Sequence, residues 1–250
     1  MNATYPFASL TLLTVCALAS GCSGLDTGNA KEIGTVELAL AVGPGAPVDA
    51  SGAKFSLTAA FATVRHVELY LPAGASCAGL PGLSATEGDH TVTCDGDKIR
   101  ARGPWRIDLL TRAATPALPL VPVVPGTYRR IDVRFTKDVT GVTLGATGTV
   151  PLSLGTMPFR LELDFERDVR FEGTDLIASE DAIAHALLTL DPTGWFAALP
   201  LVLCAESGDL DIDGGVLQLE DGGGACAALE DTVEAAIGGS GVLEDDDTDD

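Results

Sequence analysis

Basic residues end at Arg170. All 15 Lys and Arg lie between Lys31 and Arg170; the first 170 residues hold 16 acids, which nearly cancel them, and the last 80 residues carry 20 acids and no base. The formal net charge of −21 therefore belongs almost wholly to the C-terminal third. Like charges repel a phosphate backbone, which argues against nucleic-acid binding by the chain as a whole. Aromatic residues are also scarce, at 5%, although a hydrophobic content of 46% is ample for a core. The three histidines, His66, His90 and His185, are scattered, and no G-x-S-x-G, H-E-x-x-H or P-loop pattern occurs. Close CxxC or Cys/His spacing, which a thiolate metal site needs, is missing too. With no catalytic constellation, the chain reads as a non-enzyme. The 29 glycines and 14 prolines exclude an architecture of long helices and fit many turns and short strands.

Charge is absent from one further stretch. Residues 1–21 hold no charged side chain, and the apolar run from Phe7 to Leu18 is too short for a stable membrane anchor but suits a secretory signal. It ends in Leu18-Ala19-Ser20-Gly21-Cys22-Ser23. This segment resembles a bacterial lipobox, in which small residues precede a cysteine that receives diacylglycerol and further acyl (palmitate-type) chains. It departs from the usual pattern in having its aliphatic residue one place further from the cysteine and no Lys or Arg near the start. An ordinary signal peptide cleaved nearby is the alternative. In Gram-negative lipoproteins an Asp after the lipidated cysteine favours retention in the inner membrane; Ser23 stands there instead and favours the outer membrane. Acyl chains that each add about 0.8 kcal/mol per buried methylene would make membrane attachment through Cys22 effectively permanent.

Removal of Cys16 with the signal and lipidation of Cys22 leave Cys77, Cys94, Cys204 and Cys226, an even number suited to disulfides in an oxidising compartment. Three pairings are open. Cys77–Cys94 and Cys204–Cys226 are preferred, because each closes a local loop rich in glycine and turn residues. Loops of that size give about 3 kcal/mol each in the chain-entropy model.

Period-two patterning dominates the remainder. Val36, Leu38, Leu40 and Val42 alternate with Glu37, Ala39 and Ala41. Phe55, Leu57, Ala59 and Phe61 repeat the pattern, and Val67, Leu69 and Leu71 oppose His66, Glu68 and Tyr70. Further strands read over 105–110, 128–135, 142–144, 149–154, 159–165 and 186–190. In the 159–165 segment Phe159, Leu161, Leu163 and Phe165 point in, while Arg160, Glu162 and Asp164 point out. Eight or more short strands with regular turns predict an all-β, antiparallel β-sandwich. Leu229, Val233 and Ile237 predict one short C-terminal helix over 227–237, stopped by Gly238-Gly239. The resulting organisation is a signal peptide at 1–21, a lipidated tether at 22–33 and a β-sandwich domain at 34–200. An acidic, disulfide-closed segment with the short helix follows at 201–243, then a disordered acidic tail at 244–250.

The segments Phe61-Ala-Thr-Val-Arg-His-Val-Glu-Leu-Tyr70, Trp105-Arg-Ile-Asp-Leu-Leu110 and Val124-Pro-Gly-Thr-Tyr-Arg-Arg-Ile-Asp-Val-Arg-Phe135 occur in a telling order. With Leu190-Asp-Pro-Thr-Gly-Trp-Phe196, they resemble a bacterial family of lipid-anchored, secreted domains of unknown function, as in lipoproteins of predatory soil bacteria. The resemblance spans roughly residues 34–200. It implies a transthyretin-like or immunoglobulin-like sandwich, and it carries over no functional residues, because the family has no established activity.

Two local patterns bear on ligands. Asp209, Asp211, Asp213 and Glu220 fall at positions 1, 3, 5 and 12 of a twelve-residue stretch with Gly214 at position 6, the spacing of an EF-hand-type Ca²⁺ loop. The same stretch also reads as two short strands around an Asp-Gly-Gly turn. Second, Lys98 to Lys137 contains nine bases against Asp108 and Asp132, a net of +7. The first expectation is that the acidic C-terminal segment docks on this basic face; the alternative is that the face binds an anionic envelope component, such as lipopolysaccharide phosphates or an acidic polysaccharide. The leading functional expectation is a non-catalytic envelope lipoprotein, an interaction or structural module with an envelope polysaccharide or protein as partner. A calcium-stabilised surface adhesin or carbohydrate-binding module is the second.

Overall fold

The alternating segments form strands. The structure, a computed structural model, describes residues 33–246 except 79, 81–82, 84–85 and 88–89, so the signal peptide, Cys22 and nearly all of the tether lie outside the described residues. The first strands are β1 (Gly34–Val42), β2 (Ser56–Tyr70), β3 (Thr86–Glu87), β4 (His90–Asp95), β5 (Lys98–Asp108), β6 (Ala114–Thr115) and β7 (Val121–Val123). β8 (Gly126–Phe135), β9 (Leu144–Leu152), β10 (Gly155–Leu163), β11 (Arg167–Ala178) and β12 (Ile183–Leu190) follow. Helix α1 (Leu201–Ser207), strands β13 (Ile212–Asp213) and β14 (Val216–Leu219), helix α2 (Leu229–Gly238) and strand β15 (Gly241–Asp245) complete the chain.

Among the described residues 15 strands join one curled sheet in the order β13-β14-β10-β9-β2-β8-β11-β15-β12-β1-β7, with β5 on the other edge of β2, β4 and β6 attached to β5, and β3 to β4. The all-β expectation holds, but the sheet is mixed rather than antiparallel. β1 runs parallel to β12 from Thr35↔Ile183 to Val42↔Leu190, and β14 and β15 run parallel to β10 and β11. The reason lies in β12, whose residues Ala184 to Leu190 are nearly all buried. A strand covered on both faces is free to take a distant parallel neighbour, whereas alternation favours antiparallel hairpins.

The inward residues follow the alternation closely. Phe159, Leu161 and Leu163 are buried while Arg160 and Glu162 are exposed. Phe55, Phe159 and Phe196 meet edge to face with centroids 4.8–6.4 Å apart, a geometry aromatic rings prefer. Asp191 accepts hydrogen bonds from the Thr193 amide (2.9 Å) and hydroxyl (2.7 Å), capping a single 3₁₀ turn over Pro192–Gly194 that delivers Trp195 and Phe196 into the core. The Tyr128 hydroxyl donates to the Val124 carbonyl at 2.8 Å, fixing the Pro-Gly-Thr-Tyr corner. Both preferred disulfides are present, with Cα–Cα distances of 5.6 Å for Cys77–Cys94 and 6.4 Å for Cys204–Cys226.

The C-terminal segment departs most from expectation. It is not appended to a domain ending at residue 200, because β14 extends the sheet beyond β10 and β15 sits between β11 and β12. Leu217, Leu219, Leu229, Val233, Ile237 and Leu243 are essentially inaccessible and belong to the common core. Nor does the disordered tail begin at residue 244: Glu244 and Asp245 are strand residues, and the Asp246 amide donates to the His185 carbonyl at 2.9 Å. Charge density obscured this, since the apolar faces of these elements are short and spaced among acids. α1 was likewise not anticipated. Its N-terminal Val202 amide donates to the buried carboxylate of Asp49 at 3.0 Å, 153 residues away in sequence. Close approach of β15 to β11 requires Gly173, where a Cβ would stand 2.4 Å from the Leu243 carbonyl oxygen.

If β15 holds the sheet together, Leu243→Ala costs about 2–5 kcal/mol in urea denaturation, while ending the chain after Asp246 leaves the midpoint unchanged. Reducing either disulfide costs about 3 kcal/mol.

Candidate functional site

Strands β5, β2, β8 and β11 lie side by side, so their outward residues form rows across one sheet face. One row reads Arg100↔Glu68↔Asp132↔Arg170 and the next Arg102↔His66↔Arg134↔Asp168. Glu68 and Asp132 therefore stand directly opposite each other, an arrangement that destabilises a sheet unless cations intervene. They do intervene. Glu68 accepts from Lys98 Nζ at 2.7 Å and Arg100 Nε at 2.6 Å. Asp132 accepts from Arg130 Nε at 2.9 Å and from the same guanidinium's Nη2. That guanidinium also lies 4.0 Å from the Tyr70 ring centroid, a cation–π contact that orients it. Glu68 and Asp132 are only 7% and 9% exposed, so they form the floor and the cations form the walls.

Protonation follows from this packing. Burial would raise the Glu68 pKa, but hydrogen bonds from Lys98 and Arg100 outweigh it and hold the carboxyl below its ordinary 4.5. The same bond to Glu68 raises Lys98. His66 is lowered, first by burial and then by Arg100 and Arg134, against the opposing pull of Glu68 and Asp168. At neutral pH the site thus holds neutral His66, ionised Glu68 and charged Lys and Arg.

Above this floor a hollow of about 230 Å³ is lined by Arg65, His66, Arg100, Arg102 and Gly103. It opens on a trough of about 670 Å³ lined by six cations, Arg65, Lys98, Arg100, Arg130, Arg134 and Arg170, against the three carboxylates of Glu68, Asp132 and Asp168. Of the expected docking of the acidic C-terminal segment on this basic stretch, the described residues show the pair of Asp246 with Arg112 at 2.8 Å, and Arg112 does not line the trough. The other partners are local, including Asp138 for Arg106, Asp175 for Arg129, Glu166 and Asp168 for Arg134, and Asp164 for Lys137. Cross-strand neighbours are held in place by the sheet, and a distant segment cannot displace them.

Of the two readings of residues 209–220, the structure shows the hairpin. Asp211 and Asp213 lie in a hairpin, with β13 paired to β14 through Ile212↔Leu217 and Asp213↔Val216. Gly214 and Gly215, at φ 56° and 83°, make the turn, as a two-residue hairpin demands. Asp209 instead accepts from the Ser207 hydroxyl at 2.7 Å. Among the described residues no three His, Cys, Asp or Glu side chains converge as a metal ion requires, so Asp209, Asp211, Asp213 and Glu220 do not form one site. His185 pairs with Glu37 at 3.2 Å, away from the cationic face; the His90 side chain lies outside the described residues. Trp105 and Trp195 are wholly buried and present no surface for stacking a sugar. Arg65 was missed by sequence reading, because strict alternation gives no reason to place it beside His66. Among the described residues no helix is long and apolar enough to cross a membrane.

Because the folded pKa of Glu68 is depressed, its contribution to stability is complete above 4.5 and is lost as acid titrates the folded carboxylate. Glu68→Gln, which removes the carboxylate of Lys98 and leaves Arg100 with Asp95 only, costs about 3 kcal/mol at neutral pH; in urea denaturation the gap to the parent protein narrows once the parent carboxylate is protonated. Adding Ca²⁺ or EDTA leaves the thermal midpoint unmoved. Comparison of the chain with protein-family models, curated proteins and solved structures finds no match, so its own residues carry the reading.

Proposed function

We propose that this chain is a lipid-anchored lipoprotein of a bacterial outer membrane. On this reading its β-rich unit is a non-catalytic interaction module, a sandwich that presents a cationic sheet face to an anionic component of the envelope. The observation that carries this is the trough itself: six cations meet three carboxylates in a chain whose formal charge is −21. The sandwich description is supported by β2, which pairs with β9 through Ser56–Ala62 and with β8 through Val64–Leu69 along one edge, dividing the sheet into two parts that share one core. Export is supported by the two disulfides, which persist in oxidising compartments, and by the lipobox-like residues ending at Cys22. The resemblance to lipid-anchored secreted domains agrees with the same reading.

Intact-mass analysis of protein extracted from cell envelopes tests the address. The expected mature chain begins at Cys22 and carries the mass of a diacylglycerol and an N-linked acyl chain, and Cys22→Ser abolishes that added mass. A start elsewhere without fatty acid overturns the lipoprotein reading.

A further inference from the structure

Regular alternation along β2 places Val67 and Leu69 inward and Glu68 and Tyr70 outward. The pattern breaks between Val64 and His66, where the register with both β5 and β8 shifts. Val64 and Val67 are both buried, so the two residues between them, Arg65 and His66, turn outward together. A bulge has this effect: it re-aims one side chain onto the face of its neighbour. Across the sheet, the stretch of β5 facing the bulge contributes Gly103, where an added Cβ would lie 2.7 Å from the Trp105 ring. A side chain at that position would force the buried Trp105 ring to shift. Arg65 is thereby brought into the same hollow as Arg100 and Arg102.

Composition does not account for this cluster. Acids outnumber bases 36 to 15 in the chain, yet these three guanidinium groups share only Glu68, which Lys98 also engages, and Asp95, which reaches Arg100 at 3.3 Å. Among the described residues Arg65 and Arg102 have no ion-pair partner. Gathering cations raises the energy of the free protein, and a bound anion reverses that cost. The number of guanidinium groups bears on the type of anion. A planar carboxylate is satisfied by one Arg fork, whereas a tetrahedral phosphate monoester presents three terminal oxygens and close to two charges to several forks at once.

We propose that the hollow framed by Arg65, Arg100 and Arg102, beside His66, binds the phosphate monoester of a phosphorylated saccharide, whose sugar extends into the adjoining trough. The volume of about 230 Å³ admits a phosphate together with part of a sugar ring. The proposal deepens the reading of the face as an anion-binding surface, but binding at the hollow does not depend on lipidation at Cys22.

Isothermal titration of the full-length protein in detergent, with a hexose 6-phosphate, inorganic phosphate and a hexuronate as probes, tests it. The expected result is one equivalent of hexose 6-phosphate bound, inorganic phosphate more weakly, and the hexuronate at least about tenfold more weakly than the hexose phosphate. Arg65→Gln and Arg102→Gln each lower the affinity for the sugar phosphate by about tenfold or more, the scale of one lost charge-assisted hydrogen bond. Arg129→Gln, at a cation outside the hollow, leaves it unchanged. Unchanged thermal midpoints in these variants separate lost binding from lost folding. Absence of sugar-phosphate binding, equal affinity for the hexuronate, or equal losses in all three variants overturns the proposal. Intact mass at Cys22 reports on the lipoprotein reading separately, so failure of either leaves the other standing.

Discussion

β2 carries more of this architecture than its length indicates, because a single strand has three neighbours. Its first half pairs with β9, its second half with β8 along the same edge, and β5 follows the opposite edge. A flat ladder cannot serve two partners in succession on one edge without bending. The register shifts at Leu57/Ala59 and Val64/His66 are where the bending occurs. The second shift has a chemical consequence as well as a geometric one: the residue released from alternation is an arginine, and it falls beside other arginines. The feature that curls the sheet also concentrates charge.

Charge is partitioned differently in space and in sequence. In sequence, bases precede Arg170 and acids dominate afterwards, which invites a picture of one half neutralising the other. In the folded chain, ion pairs are mostly settled between adjacent strands, and the late acids serve local ends. Asp221 accepts the Glu230 amide near the start of α2 at 2.9 Å, and Glu230 and Asp231 lie in the first turn of that helix, where negative charge suits the helix dipole. Glu206 reaches the Ser153 amide at 2.7 Å. The trough cations draw on Glu68, Asp132 and Asp168 and also on Asp95, Glu166 and Glu172, whereas Arg65 has no ion-pair partner among the described residues.

Local physics was legible in the sequence; long-range pairing was not. Alternation at Phe159–Phe165, the spacing of Leu229, Val233 and Ile237, the Asp-Gly-Gly turn and both disulfides follow from rules acting over a few residues or across one short loop. The parallel partnership of β1 with β12, the entry of β15 between β11 and β12, and the Asp49 contact that starts α1 each join residues far apart in the chain, and no local pattern encodes them. At the candidate site, His66, Glu68 and Tyr70 were assigned to one outer face from alternation alone. The bulge that adds Arg65 has no sequence signature, because Val64-Arg-His-Val67 is compatible with an unbroken strand. At residues 209–220 both readings were local: in a segment dense in acids, ligand-like intervals arise, while the glycines favour the hairpin that forms.

A cationic hollow in an acidic protein selects for compact charge. Coulomb attraction between exposed groups fades beyond the Debye length, about 8 Å at physiological ionic strength. A single phosphate bound in the hollow as proposed would therefore sense mainly Arg65, Arg100 and Arg102. High local positive charge within a negative envelope favours one dense anion at the end of a mostly neutral molecule, the charge distribution of a sugar phosphate and not of a uronic-acid polymer or a nucleic acid.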